Sequence, residues 1–102
     1  MKYRILQLVE HGDYRFEWWS WAKDRFNIRD YTEVYSGEIE NEDGSITNAL
    51  EKLFTIFNVR RPEDFHGHSL SVSDVVAVEV DGKEKYYYCD NMGWVDISIY
   101  CC

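Results

Sequence analysis

The dipeptide Asp81-Gly82 stands between two runs of strand-forming residues, 74–80 and 83–89. Asp-Gly accepts the positive backbone angles of a two-residue hairpin turn whose twist matches that of paired strands, so this spacing predicts a tight antiparallel hairpin. Beyond the turn Asp90-Asn91-Met92-Gly93, Val95, Ile97 and Ile99 alternate against Asp96 and Ser98, which adds a third strand. The last third of the chain therefore reads as a three-stranded meander. A sheet with an apolar face needs a second layer to cover it. Ile46, Ala49, Leu50, Leu53, Phe54 and Phe57 supply one, falling at helical period on a single stripe. Leu50, Leu53, Phe54 and Phe57 are expected to bury against Ile5, Val76, Val78 and Ile97. Asn48 with Glu51 is the expected capping pair, and Asn58 the left-handed terminator ahead of Arg60-Arg61-Pro62.

The N-terminal half is less sharply patterned. Residues 2–9 alternate Tyr3, Ile5 and Val9 against Leu6 and Leu8, as in a strand with both faces partly covered. After the turn residues His11-Gly12-Asp13, residues 16–26 place Trp18, Trp21, Ala22 and Arg25 at helical spacing, with Trp19 and Phe26 on the adjacent stripe. On that register Trp18 and Trp21 face the core and Trp19 projects roughly 100° away, where core or partial packing is the default and a place in an exposed, partner-binding aromatic patch the alternative. Residues 31–36 read as another strand, ended by Gly37. The fold class expected is α+β, a mostly antiparallel sheet of about five strands with two helices packed on one face. At 102 residues, one domain over residues 1–102 is expected.

No stretch approaches the ~20 apolar residues that a membrane helix requires, and Met1-Lys2-Tyr3-Arg4 leads straight into strand pattern, so a cytoplasmic location with no membrane contact is expected. Cys89, Cys101 and Cys102 are odd in number, two of them adjacent, which is a poor disulfide framework; all three read as free thiols. Net charge is −8 and uneven. Asp30, Glu33, Glu38, Glu40, Glu42, Asp43 and Glu51 lie within 22 residues that hold no Lys or Arg, while the remainder carries 12 acids against 11 bases. General attraction to nucleic-acid phosphates is not expected from such a balance.

Two short constellations invite chemistry. His66-Gly67-His68, near Asp64 and Asp74, has the spacing of two imidazoles on one side of an extended chain, but a metal site needs three or four ligands; neither metal nor other cofactor is expected. Ser69, Ser71 and Ser73 beside His68 and Asp74 suggest a serine triad, yet neighbours on an extended chain diverge, and no Gly-x-Ser-x-Gly elbow is present. Gly67, His68, Ser69, Ser71, Ser73 and Asp74 are expected to build a structural turn, through side chains bonded to nearby main-chain groups.

The run Phe57-Asn58-Val59-Arg60-Arg61-Pro62-Glu63-Asp64 followed by Phe65-His66-Gly67-His68-Ser69-Leu70-Ser71-Val72-Ser73-Asp74-Val75-Val76 resembles the YodL-like domain family, as do Tyr3-Arg4-Ile5-Leu6-Gln7-Leu8, Asp13-Tyr14-Arg15-Phe16-Glu17, Tyr88-Cys89-Asp90 and Gly93-Trp94. The resemblance covers nearly the whole chain. It implies a setting among proteins of Firmicutes, many carried on conjugative elements and phage, and brings no activity, cofactor or catalytic residue with it.

The function expected is a non-catalytic interaction module of a mobile-element protein. It would hold a protein partner, one with a basic surface, through Trp19 and the acidic groups Glu33, Glu38, Glu40, Glu42 and Asp43. The alternatives are an acidic mimic of DNA of the antirestriction type and, ranked last, a small hydrolase built on His68.

Overall fold

The computed structural model describes residues 1–8, 14–91 and 93–101. Its strands are β1 (Lys2–Leu8), β2 (Tyr31–Glu38), β3 (Val75–Val80), β4 (Lys83–Asp90) and β5 (Gly93–Asp96), and its helices α1 (Trp19–Ala22) and α2 (Ile46–Val59). The five strands form one sheet in the order β2-β1-β3-β4-β5, with every neighbouring pair antiparallel. The α+β class with a five-stranded antiparallel sheet and two helices is as the sequence pattern predicts. The turn at Asp81 and Gly82 has φ of 51° and 78°, the pair of positive values that Asp-Gly supplies at low cost. The expected turn at His11-Gly12-Asp13 lies outside the described residues, as do Met92 and Cys102. Cys89 and Cys101 are free thiols.

Strand alternation gives the sheet two apolar faces, and each helix takes one. Tyr3, Ile5, Val76 and Val78 point to the face that packs Leu50, Leu53 and Phe57 of α2, all nearly inaccessible. Leu6, Leu8, Val75, Ala77 and Tyr88 point to the other, which is covered by Tyr14 and by Trp19 and Ala22 of α1. The expectation that both helices share one face is thus corrected. Both faces of β1 and β3 are apolar, and a one-sided arrangement would leave Leu6, Leu8, Val75 and Ala77 in water at about 1.5–3 kcal/mol for each large side chain. Ile97 belongs to this second face and not to the α2 side. Strand β5 stops at Asp96, whose carboxylate accepts from Ser98 N–H (3.0 Å) and Ser98 Oγ–H (2.7 Å); the turn carries Ile97 under Tyr86 and leaves Ile99 exposed.

Capping of α2 also departs from the sequence reading. Ser45 is the N-cap, with Oγ accepting from Asn48 N–H, and Asp43 supports it by accepting from Ser45 N–H and Asn48 Nδ2. At the other end Asn58 remains helical and its amide donates to Phe54 O, so the helix runs on through Val59. Loop 60–74 then crosses the Leu8 end of the sheet to reach β3.

Candidate interaction surface

The segment that was expected to be a helix over 16–26 is helical only over Trp19–Ala22. Trp18 is its N-cap with extended ψ of 152°, and Trp19 N–H donates to Asp90 Oδ1 across the domain at 3.0 Å. This start shifts the face that α1 buries. Trp19 goes inward against Phe26, Tyr88 and Tyr100, with ring centroids 5.2, 5.0 and 5.0 Å away. Trp18 and Trp21 go outward, at 49% and 69% exposure. The reading that exposes Trp19 while Trp18 and Trp21 form core is therefore reversed. An exposed aromatic surface does exist, made of Phe16, Trp18 and Trp21 around a shallow concavity of about 220 Å³ with Glu17.

Phe16 is held in that surface by its backbone. Its φ is +65°, a region that bulky residues rarely occupy, and its ring is 59% exposed. Phe16 N–H donates to Ser73 Oγ at 3.0 Å, and Ser73 itself has φ +86°. Two residues in costly conformations are thus joined by one hydrogen bond. Arg15 reaches back over the Phe16 ring, 5.7 Å from its centroid, and its Nε is buried without a hydrogen-bond partner among the described residues.

Behind Ser73 lies a buried polar centre. Gln7 Nε2 donates to His68 O (2.8 Å) and Asp74 Oδ2 (3.2 Å), while its Oε1 accepts from His68 N–H (3.2 Å). Ser71 N–H donates to Asp74 Oδ2 at 2.9 Å, and Asp74 N–H donates to Ser71 O. Gly67 passes so close that a Cβ there would stand 2.6 Å from Gln7 Oε1. Burial pushes the Asp74 carboxyl up to about 7, against the opposing pull of the Ser71 and Gln7 donors and the Arg15 charge. His68 Nδ1 lies 2.8 Å from Ser69 O, and its Nε2 stands 3.7 Å from Asp74 Oδ1. Among the described residues no hydrogen bond joins a serine hydroxyl to His68: Ser73 Oγ serves Phe16, and Ser71 Oγ is buried without a partner. Burial pushes the nearby Cys89 thiol up to about 12, so it is not a thiolate at neutral pH. Among the described residues no group of three His, Cys, Asp or Glu side chains stands where it could hold a metal ion.

These elements span the sequence from β1 to β5, and the match to a family model does too, covering residues 2–99 with the description YodL-like domain. The chain belongs to the YodL-like domain family. No curated protein and no solved structure matches it. In this YodL-like domain the aromatic surface, the Ser73 bond and the polar centre all fall inside the matched region.

The acidic groups of this YodL-like domain occupy three settings. Glu33 pairs with Arg4, which also makes two bonds to Glu84, at 2.7 and 2.6 Å. Asp43 is spent on the α2 cap, and its hydrogen bonds hold its carboxyl below the ordinary range. Glu38, Glu40 and Glu42 are exposed and make no ion pair among the described residues, although Lys2 faces Glu38 across the ladder and Lys52 Nζ donates to Glu40 O. Glu38 to Asp43 lie at the Lys2 end of the sheet, whereas Phe16 is bonded to Ser73 at the Leu8 end. An eight-residue strand spans about 25 Å, so the aromatic surface is not adjacent to these carboxylates as expected. Phe16, Arg15 and Gln7 were missed by pattern reading. The positive φ of Phe16 and the contacts of Gln7 with His68 and Asp74 arise only in the fold, and a sequence does not carry them.

Proposed function

We propose that this YodL-like domain is a non-catalytic interaction module that binds a protein partner, with Phe16, Trp18 and Trp21 as its anchor and the carboxylates at the Lys2 end as a second, steering surface. The supporting observation is Phe16. A left-handed backbone at a bulky residue costs about 1–3 kcal/mol, and here that cost holds an apolar ring in water beside two exposed indoles. Aromatic side chains exposed together in this way are the kind that concentrate binding energy at interfaces. The mobile-element setting that the family resemblance implies, and the cytoplasmic location expected from the sequence pattern, belong to the same proposal.

The test is capture from an extract of the native host by the immobilised domain, parent against a Phe16→Ser/Trp21→Ser variant, with bound proteins quantified by mass spectrometry. Enrichment of one protein that falls at least tenfold in the variant, with unchanged melting, is the expected result. Equal enrichment by both would end the proposal that this surface binds.

A further inference from the structure

We infer that the outer edge of β2 is a strand-addition site, which takes an extended, lysine- or arginine-bearing segment of the partner as a sixth strand. This rests on the interaction-module reading and names the partner's chemistry. Strand β2 is eight residues long and, among the described residues, has β1 as its only neighbour in the sheet. Apart from that ladder, the main chain of residues 32–38 makes no hydrogen bond to any described residue. An edge strand directs alternate N–H and C=O groups outward, and a segment that pairs with them gains main-chain bonds whatever its sequence.

Charge selects the occupant. Glu33, Glu38, Glu40 and Glu42 line this edge and its exit; Arg4, one strand inward, is held by Glu84 and Glu33, and Lys52 of α2 reaches the Glu40 carbonyl, so four carboxylates face one lysine at the exit and Lys2 across the ladder. A second copy does not fit. Pairing β2 with β2 would bring these carboxylates together, and the other free edge, Gly93–Asp96, offers Asp96 and no base. The bulge at Val34 breaks the ladder between Ile5 and Leu6, so addition runs along Tyr35–Glu38, the stretch nearest the unpaired carboxylates.

The experiment uses the full chain and a short synthetic peptide alternating lysine with valine. Two controls are its glutamate-for-lysine counterpart and a version N-methylated on alternate residues, which cannot add as a strand. Amide hydrogen exchange is read residue by residue. Expected is slowing of at least tenfold at alternate amides of Tyr35–Glu38 with the lysine peptide only. A Glu38→Gln/Glu40→Gln/Glu42→Gln variant should bind it several-fold more weakly, with a shallower salt dependence. Equal binding of the N-methylated peptide, slowing confined to residues 14–21, a shift to dimer mass, or no slowing at all would each overturn strand addition. Host capture through Phe16 and Trp21 would stand or fall separately.

Discussion

The Phe16 main-chain amide and the Ser73 hydroxyl, 57 residues apart in the chain, are joined at 3.0 Å, and both residues hold positive φ. The bond is the point at which the aromatic surface is fastened to the buried polar centre. Ser73 is 1% exposed and Phe16 is mostly in solvent, so strain and exposure sit on opposite sides of one contact. Ser73 O is bonded in turn by Tyr31 OH at 2.6 Å, and Ser73 N–H by Cys89 O, which leaves Ser73 little freedom to relax.

Substitutions at this pair should therefore separate backbone strain from packing. Phe16→Gly removes a ring that is 59% exposed and places a residue without Cβ at φ +65°, so the loss of burial is small and the strain is relieved. Its stability in urea should equal or exceed the parent's by up to about 1 kcal/mol. Phe16→Ala keeps the strain and should not gain. Ser73→Ala leaves the Phe16 N–H without its partner and keeps a Cβ at φ +86°, for an expected loss of about 1–3 kcal/mol.

The tryptophans give a second, opposed pair. Trp19 is buried among Phe26, Tyr88 and Tyr100, and Trp19→Ala should cost about 3–5 kcal/mol, enough to unfold much of a marginally stable domain. Trp21→Ala, at 69% exposure, should stay within about 0.5 kcal/mol of the parent. Thermal denaturation of the two variants side by side decides it; a larger loss at Trp21 would mean that α1 packs in the register read from the sequence.

Why that register failed shows what a sequence carries. The α2 stripe was legible because Ala49, Leu50, Leu53 and Phe57 repeat over about two and a half turns, and only one phase buries them all. The α1 segment offers a single turn with three indoles. Which indole goes inward is decided by Trp19 N–H meeting Asp90 Oδ1, 71 residues away, and no local pattern contains that bond. The Asp81-Gly82 hairpin was legible for the same reason as α2, since its turn chemistry is local. The two-faced sheet was half legible. Leu6 and Leu8 were seen to make β1 apolar on both sides, but the cover for the second face comes from a short, irregular segment with weak periodicity. Gln7 was invisible, because a glutamine in a strand pattern reads as solvent-facing until His68 and Asp74 fold over it.

The helix α2 yields a graded prediction. Phe57 is fully buried, in contact with Tyr3, Tyr35 and Phe65 rings, and Phe57→Ala should cost about 3–5 kcal/mol. Phe54 is only half-buried and packs its edge on Trp94 at the margin of the core. Phe54→Ala should cost clearly less than Phe57→Ala in the same urea titration. Equal losses would place Phe54 within the core.

Asp74 makes stability depend on pH in a direction opposite to that of most carboxylates. Its carboxyl is raised from 3.8 to about 7 in the folded protein because burial disfavours the charge more than Ser71 N–H, Gln7 Nε2 and Arg15 favour it. The unfolded chain releases this proton near 4, so between about 4 and 7 the native state binds more protons than the unfolded state. Stability from this group is therefore complete below about pH 4 and is lost as pH rises through about 7. Three pKa units correspond to at most roughly 4 kcal/mol, an upper bound because the same donors that bond the acid also receive the carboxylate. Asp74→Asn removes the titration while it keeps an oxygen for Ser71 N–H and Gln7 Nε2. Urea titrations of parent and variant at pH 4, 5.5 and 7 should show the parent losing stability across this range relative to Asp74→Asn. A parent that gains stability relative to the variant as pH rises would mean that Asp74 is held as a carboxylate, and that Arg15 and His68, not burial, set its charge.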